Sequence, residues 1–145
     1  MYIPFNIIAI PIIVFILAQG LKILTKSIER PFKLKHIAAY GGMPSAHTAF
    51  TASMATLAGL IDGFNSVTFM ICIVMFLIIV RDALGLRMHL SEHSKVLNKI
   101  IADVPDIDPK KYPFLGERLG HTLPEVIVGA IAGTFLTWVL FVLLV

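Results

Sequence analysis

The sequence predicts an all-α integral membrane protein, with about four transmembrane helices and a short amphipathic helix at the interface. Three observations carry that prediction. Hydrophobic residues make up 57% of the 145 residues and charged residues only 14%, against roughly a quarter charged in a soluble domain. The apolar residues gather into four runs, each close to the about 20 residues a bilayer-crossing helix needs. The polar residues gather into two basic stretches between those runs. A chain of this length makes one domain, and no stretch remains for a separate soluble one.

The first run extends from Ile3 to Leu24, with Pro11 inside it, where a kink is expected. It does not read as a signal peptide. It is long, lacks a basic leader, and is followed by basic residues rather than a small-residue cleavage site. A basic loop then holds Lys26, Arg30, Lys33, Lys35 and His36. The second run covers Pro44 to Ile61 and the third Ser66 to Leu84, joined by a tight turn at Asp62-Gly63-Phe64-Asn65. A second basic loop follows from Gly85 to Gly120. It carries Arg87, His89, His93, Lys95, Lys99, Lys110, Lys111 and Arg118. Within it Leu90, Leu97, Ile100 and Ile101 recur at near-helical spacing, which suggests an amphipathic helix lying on the membrane and ending at Val104-Pro105. The last run is Pro124 to Val145.

With four spans, both basic loops fall on one side of the bilayer and the termini on the other. The positive-inside rule makes the basic side cytoplasmic. The net charge of +3 is small, and no nucleic-acid partner is expected. The lone cysteine, Cys72, lies in the third run and reads as a small hydrophobe.

Two histidines stand where hydrophobic helices begin. His47 lies in Gly41-Gly42-Met43-Pro44-Ser45-Ala46-His47-Thr48, and His121 in Leu119-Gly120-His121-Thr122-Leu123-Pro124-Glu125. Helix starts favour anions through their unpaired N–H groups and dipole. Two imidazoles at two such starts are what phosphoryl transfer through a histidine needs. Glu125 follows His121 at i+4, on the same helix face, where it would fix the tautomer and leave the other nitrogen free. Read structurally, the same residues cap and pack two helices, with Glu125 stabilising a first turn and Ser45 capping the other. Histidine is rare in membrane spans without a function, however. Lys22, with Gln19 one turn earlier, either snorkels or reaches a phosphate. Arg87 and Asp82, at the end of the third run, serve as interfacial anchors or as a phosphate-binding arginine with its partner. His89 and His93 have the spacing of two metal ligands, with Glu92 between them, but not the metalloprotease order.

At these residues the chain resembles the type 2 phosphatidic acid phosphatase and vanadium haloperoxidase superfamily. Gly42-Met43-Pro44-Ser45-Ala46-His47 is similar to its Pro-Ser-Gly-His motif, and His121-x-x-x-Glu125-Val126-x-x-Gly129 to its closing His-x-x-x-Asp-Val-x-x-Gly motif. The closer likeness is to a divergent bacterial and plant branch, through Gln19-x-x-Lys22, Gly41 to Ala49, Asp82-Ala83-x-Gly85-x-Arg87, Leu97-Asn98 and Leu119-Gly120-His121-Thr122. The resemblance implies one membrane-embedded phosphatase-like domain over residues 1–145, in a bacterial plasma membrane. It implies hydrolysis of a lipid phosphate monoester or pyrophosphate through a phosphohistidine. His121 would be the nucleophile, Glu125 its orienting group and His47 the general acid. Lys22, Ser45, Arg87 and Gly42 would hold phosphate oxygens, with Gln19, Asp82 and Arg118 in support. No metal and no other cofactor would be needed. The chain departs from the superfamily in several places: seven residues separate Lys22 from Arg30, Leu115 stands where an arginine is usual, Glu125 replaces Asp, Ala46 replaces Gly, and the usual six helices are four. Two other classes fit the same residues: a non-catalytic phospholipid-binding or assembly protein, and a metal-dependent hydrolase built on Asp82, Glu92, His89 and His93. Gly129 and Gly133 also make a small-residue seam suited to homo-oligomerisation or to packing within one chain.

Overall fold

A computed structural model describes residues 5–29, 42–104 and 111–144, and among these residues every regular element is helical. Helix α1 is Phe5–Glu29, α2 is Ala46–Asp62, α3 is Val67–Arg81, α4 is Arg87–Asp103 and α5 is Leu123–Leu144. Arg30, Lys33, Lys35, His36, Gly41, Pro105 and Lys110 lie outside the described residues.

Helix α2 is the centre of the bundle because it is made of small residues. Ala46, Ala49, Ala52, Ala55, Ala58 and Gly59 are buried along it, and so are Thr48, Thr51 and Ser53. Hydroxyls in such surroundings need partners. Thr51 Oγ1 donates to the His47 carbonyl at 3.1 Å and Thr56 Oγ1 to the Ala52 carbonyl at 2.8 Å. Small side chains let α5 approach closely. A Cβ added at Gly129 would lie 2.6 Å from the Ser45 carbonyl oxygen, and one at Gly133 would collide with the backbone of Ala49. One turn further, Thr137 Oγ1 pairs with Ser53 Oγ. The partners advance by four residues on both helices, so α2 and α5 run parallel. The Gly129–Gly133 seam is therefore occupied within the chain.

Helix α1 lies antiparallel to α2 on another side. Ile7, Ile10, Val14 and Ala18, spaced to share one helical stripe, are buried with Ala46, Ala49 and Leu57. The helix continues through Pro11 to Glu29. Helix α3 returns from α2 through a turn in which Gly63 takes φ +88°, a conformation that favours glycine. Ser66 caps α3 by accepting the Phe69 N–H at 3.1 Å. None of α3's residues is buried, and Met70, Ile71, Val74, Leu77 and Ile78 are exposed on it, as suits a lipid-facing helix.

Of the four expected spans, three are helices long and apolar enough by length and composition to cross a membrane, α1, the α3–α4 rod and α5, and the fourth, α2, is shorter. Helix α2 has 17 residues, about 25 Å at 1.5 Å each, against a hydrocarbon core of about 30 Å. It begins only after Pro44 and Ser45 and stops at Gly63, and it is enclosed by the three longer helices. One expectation is corrected: the basic loop does not begin at Gly85. Helix α3 passes through a π-helical turn, Asp82–Leu86, directly into α4, giving one rod of 37 residues. The change from apolar to charged residues marks where the rod leaves the apolar layer, not where the helix ends. The amphipathic helix is this continuation. Leu90, Leu97 and Ile100 are exposed on it, and Ser91 and Ser94 are buried on another face.

An apolar groove of about 730 Å³ opens between α3 and α5, floored by Ala52, Ala55 and Thr56 and walled by Phe69, Phe76 and Trp138. Thr56 stands roughly 180° around α2 from His47, at about 100° per residue. This groove is thus on the opposite side of α2 from His47.

Candidate functional site

Antiparallel α1 and α3 and parallel α2 and α5 bring four helix ends together: the end of α1, the start of α2, the end of α3 and the start of α5. Lys22, His121 and Glu125 are buried there, at 6%, 5% and 5% exposure. Buried charge needs partners, and Glu125 has four. Its Oε2 accepts from His121 Nδ1 at 2.9 Å and from the Thr122 N–H at 3.1 Å. Its Oε1 accepts from the Gly42 N–H and from Arg118 Nη2, both at 3.1 Å. A group surrounded by donors acts as an acceptor only. The His121 proton therefore sits on Nδ1, and Nε2 carries the lone pair.

His121 precedes α5 rather than lying in it. Its own N–H donates to the Ala83 carbonyl in the π-helical turn at 3.1 Å, which ties the start of α5 to the end of α3. Burial holds the imidazole below its ordinary value near 6.5. The Glu125 hydrogen bond and charge pull upward, and the positive charges of Lys22 and Arg87 reinforce the lowering.

His47 is exposed in the first turn of α2, with the edge of Phe15 against it at a centroid distance of 5.9 Å. It lies within electrostatic reach of Arg87, Lys22, His121 and Asp82. Arg87 Nε bonds Asp82 Oδ2 at 2.6 Å across the π-helical turn. Gln19 is half-buried one turn before Lys22. His47, His121, Lys22, Arg87 and Asp82 thus share one electrostatic environment at one end of the bundle.

Other expected residues have different partners. The Gly42 N–H points to Glu125, and Gly42 takes φ +102° to make that approach. The Ser45 N–H donates to the Glu125 carbonyl at 3.0 Å, and Ser45 Oγ pairs with Thr48 Oγ1 at 2.8 Å. Both residues join the Pro44 approach to α5. Arg118 is exposed and reaches Glu125. The metal-ligand alternative does not assemble: among the described residues no three His, Cys, Asp or Glu side chains cluster as a metal site. His89 meets Glu92 at 3.5 Å on the surface, while Asp82 holds Arg87.

No feature of the sequence pointed to Ser91, and Ala83 and Thr122 stood in it only inside the motifs quoted for the likeness. Ser91 Oγ accepts the Leu119 N–H at 2.9 Å. Asn98 was visible only as part of the Leu97-Asn98 likeness; its amide donates to the Leu115 carbonyl at 2.9 Å and accepts the Leu115 N–H at 3.1 Å. No periodicity or motif signals a side chain that serves another segment's backbone.

Residues 5–136 match the Divergent PAP2 family. The chain is also 31% identical over 137 residues to the uncharacterized membrane protein YuiD of Bacillus subtilis (strain 168), covering 86% of this chain and 87% of that protein. No solved structure matches the chain.

Proposed function

We propose that this chain, which belongs to the Divergent PAP2 family, is a membrane lipid phosphatase that works through a phosphohistidine on His121. The observation that carries the reading is the His121 Nδ1–Glu125 contact of 2.9 Å, set beside His47, Lys22 and Arg87. It leaves a neutral Nε2 on a ring within electrostatic reach of Lys22 and Arg87.

In the first step Nε2 attacks phosphorus, the N–P bond forms and the P–O bond to the lipid alkoxide breaks. His47 gives its proton to that alkoxide, releasing the lipid alcohol. In the second step water attacks phosphorus, its proton passes to His47, and the N–P bond breaks to free phosphate and His121. Lys22 and Arg87 stabilise charge on the equatorial oxygens. Asp82 orients Arg87, and Gln19 supports Lys22. Gly42, Ser45 and Arg118 act one layer back, by holding Glu125 and the start of α2. No metal enters the scheme.

The substrate class follows from position. A phosphate site at one end of an apolar bundle suits an ester whose tails remain in the bilayer, such as phosphatidic acid, phosphatidylglycerophosphate or a polyprenyl phosphate. The basic loops support a cytoplasmic position for this end, by the positive-inside rule. Purified protein in detergent is expected to release phosphate from at least one of these lipids, and His121→Ala to abolish release. Undiminished release by that variant removes His121 from the mechanism.

A further inference from the structure

Residues 112–122 have no helix of their own to hold them in place, yet they deliver Arg118 and His121 to Glu125. Leu115, Glu117, Leu119 and Gly120 are hydrogen-bonded to side chains of α4. Asn98 Nδ2 donates to the Leu115 carbonyl and to Glu117 Oε1, each at 2.9 Å, while its Oδ1 accepts the Leu115 N–H at 3.1 Å. The amide thus pairs with Leu115 as a neighbouring peptide group would. Two turns back along α4, Ser91 Oγ donates to the Arg87 carbonyl at 2.9 Å and accepts the N–H of Leu119 at 2.9 Å and, more weakly, of Gly120 at 3.4 Å. That fills the capacity of a hydroxyl, one donor and two acceptor sites. The segment also lies hard against the rod. A Cβ at Gly120 would sit 2.8 Å from Met88 Sδ and 3.0 Å from the Met88 nitrogen.

We propose that Ser91 and Asn98 are positioning residues, which clamp the 111–120 strap to α4 so that His121 and Arg87 are carried on one rigid body. The assignment rests on reading His121 as the nucleophile. Helix formation does not require these residue types, because alanine is the better helix former at either position. What alanine lacks is the acceptor for Leu119 and the paired amide for Leu115. Without them the strap loses its attachment just before the reacting ring, and a misplacement of about 1 Å in a reacting group costs on the order of 100-fold in rate.

The test combines turnover with a chemical probe that needs none. Ser91→Ala, Asn98→Ala, Ser91→Thr and the surface control Lys95→Ala are compared with the full-length parent in detergent. Phosphate release gives kcat and KM. Carbethoxylation of His121 by diethyl pyrocarbonate, read by peptide mass spectrometry, reports how well the buried ring is held. Ser91→Ala and Asn98→Ala are expected to lower kcat at least about tenfold with KM within about twofold, and to speed His121 modification several-fold. Ser91→Thr restores both values, and Lys95→Ala changes neither. Parental kcat and parental modification rates in both alanine variants overturn the proposal. If the parent hydrolyses no lipid, the catalytic reading fails by itself, and the modification rates decide the clamp: acceleration supports it and unchanged rates refute it. Should Ser91→Ala not fold, Asn98→Ala and Ser91→Thr give the same decision.

Discussion

His121 Nδ1 lies 2.9 Å from Glu125 Oε2, and the other oxygen of that carboxylate is held by Gly42 and Arg118. One carboxylate thus fixes a ring tautomer, the approach to α2 and the start of α5. Glu125→Gln keeps the size of the side chain but turns one oxygen into a donor, which favours the wrong tautomer. Removing an equivalent carboxylate from a histidine in acyl transfer costs about 10⁴ in kcat. A loss of at least about 100-fold in phosphate release is expected here, with the thermal midpoint falling by only a few degrees. Full activity in Glu125→Gln removes tautomer control from the mechanism.

The direction of the His121 shift predicts the acid limb of the pH profile. Attack requires the neutral ring. Burial lowers its proton affinity from the ordinary value near 6.5, with Lys22 and Arg87 adding to the lowering. The ring therefore stays neutral on acidification past that value, and activity falls only at lower pH. Removing a nearby positive charge raises the proton affinity. Arg87→Gln should move the acid limb of kcat/KM toward higher pH, besides lowering its plateau. A limb that stays in place shows that Arg87 does not act on the ring.

Much of this arrangement was legible in the sequence, and the failures share a physical cause. His47, His121 and Glu125 could be placed because apolar runs reveal where helices begin and i+4 spacing reveals a shared face. The rod from Val67 to Asp103 was divided because hydropathy reports solvent, and a helix crossing from lipid to water keeps its hydrogen bonds while its composition changes. For Ser45 and Gly42 the family resemblance implied a role as phosphate ligands, and a helix start does offer N–H groups. Which acceptor takes them depends on α5, some 80 residues away in the chain, where the Glu125 carboxylate and carbonyl arrive first. Ser91 and Asn98 have polar side chains whose partners are backbone atoms, and that kind of pairing leaves no periodicity.

The glycines of α5 predict a steric test of the bundle. Gly133 packs on the Ala49 backbone with no room for a Cβ, and backbone is not free to move as a flexible side chain is. Overpacking a tight interior typically costs about 1–3 kcal/mol. Gly133→Leu should lower the thermal midpoint in detergent markedly and reduce phosphate release, since α5 carries Glu125. Leucine at Gly20, where nothing lies within 4 Å of an added Cβ, should do neither. Equal stability of the two variants would contradict the parallel α2–α5 contact.

Chelation separates this site from a metal hydrolase. In the proposed mechanism Lys22 and Arg87 meet the charge on the phosphate, and no triad of metal-binding side chains assembles among the described residues. Phosphate release is expected to be the same, within error, with and without EDTA. Loss on chelation that is restored by a divalent cation would replace cationic side chains with a metal as the charge stabiliser.

Sidedness follows from the rod. If α3 crosses the bilayer, α4 continues beyond it for 17 residues, about 25 Å, and carries Lys95 and Lys99 into the aqueous phase on the side of the two histidines. The natural thiol, Cys72, lies within α3. In a Cys72→Ser background, Lys95→Cys should resist a membrane-impermeant maleimide in intact cells and react in inverted vesicles. Asn65→Cys, in the turn at the opposite end of α2, should give the reverse pattern. Labelling of Lys95→Cys from outside would invert the topology and place the phosphate site in the outer leaflet, facing a different pool of lipid phosphates.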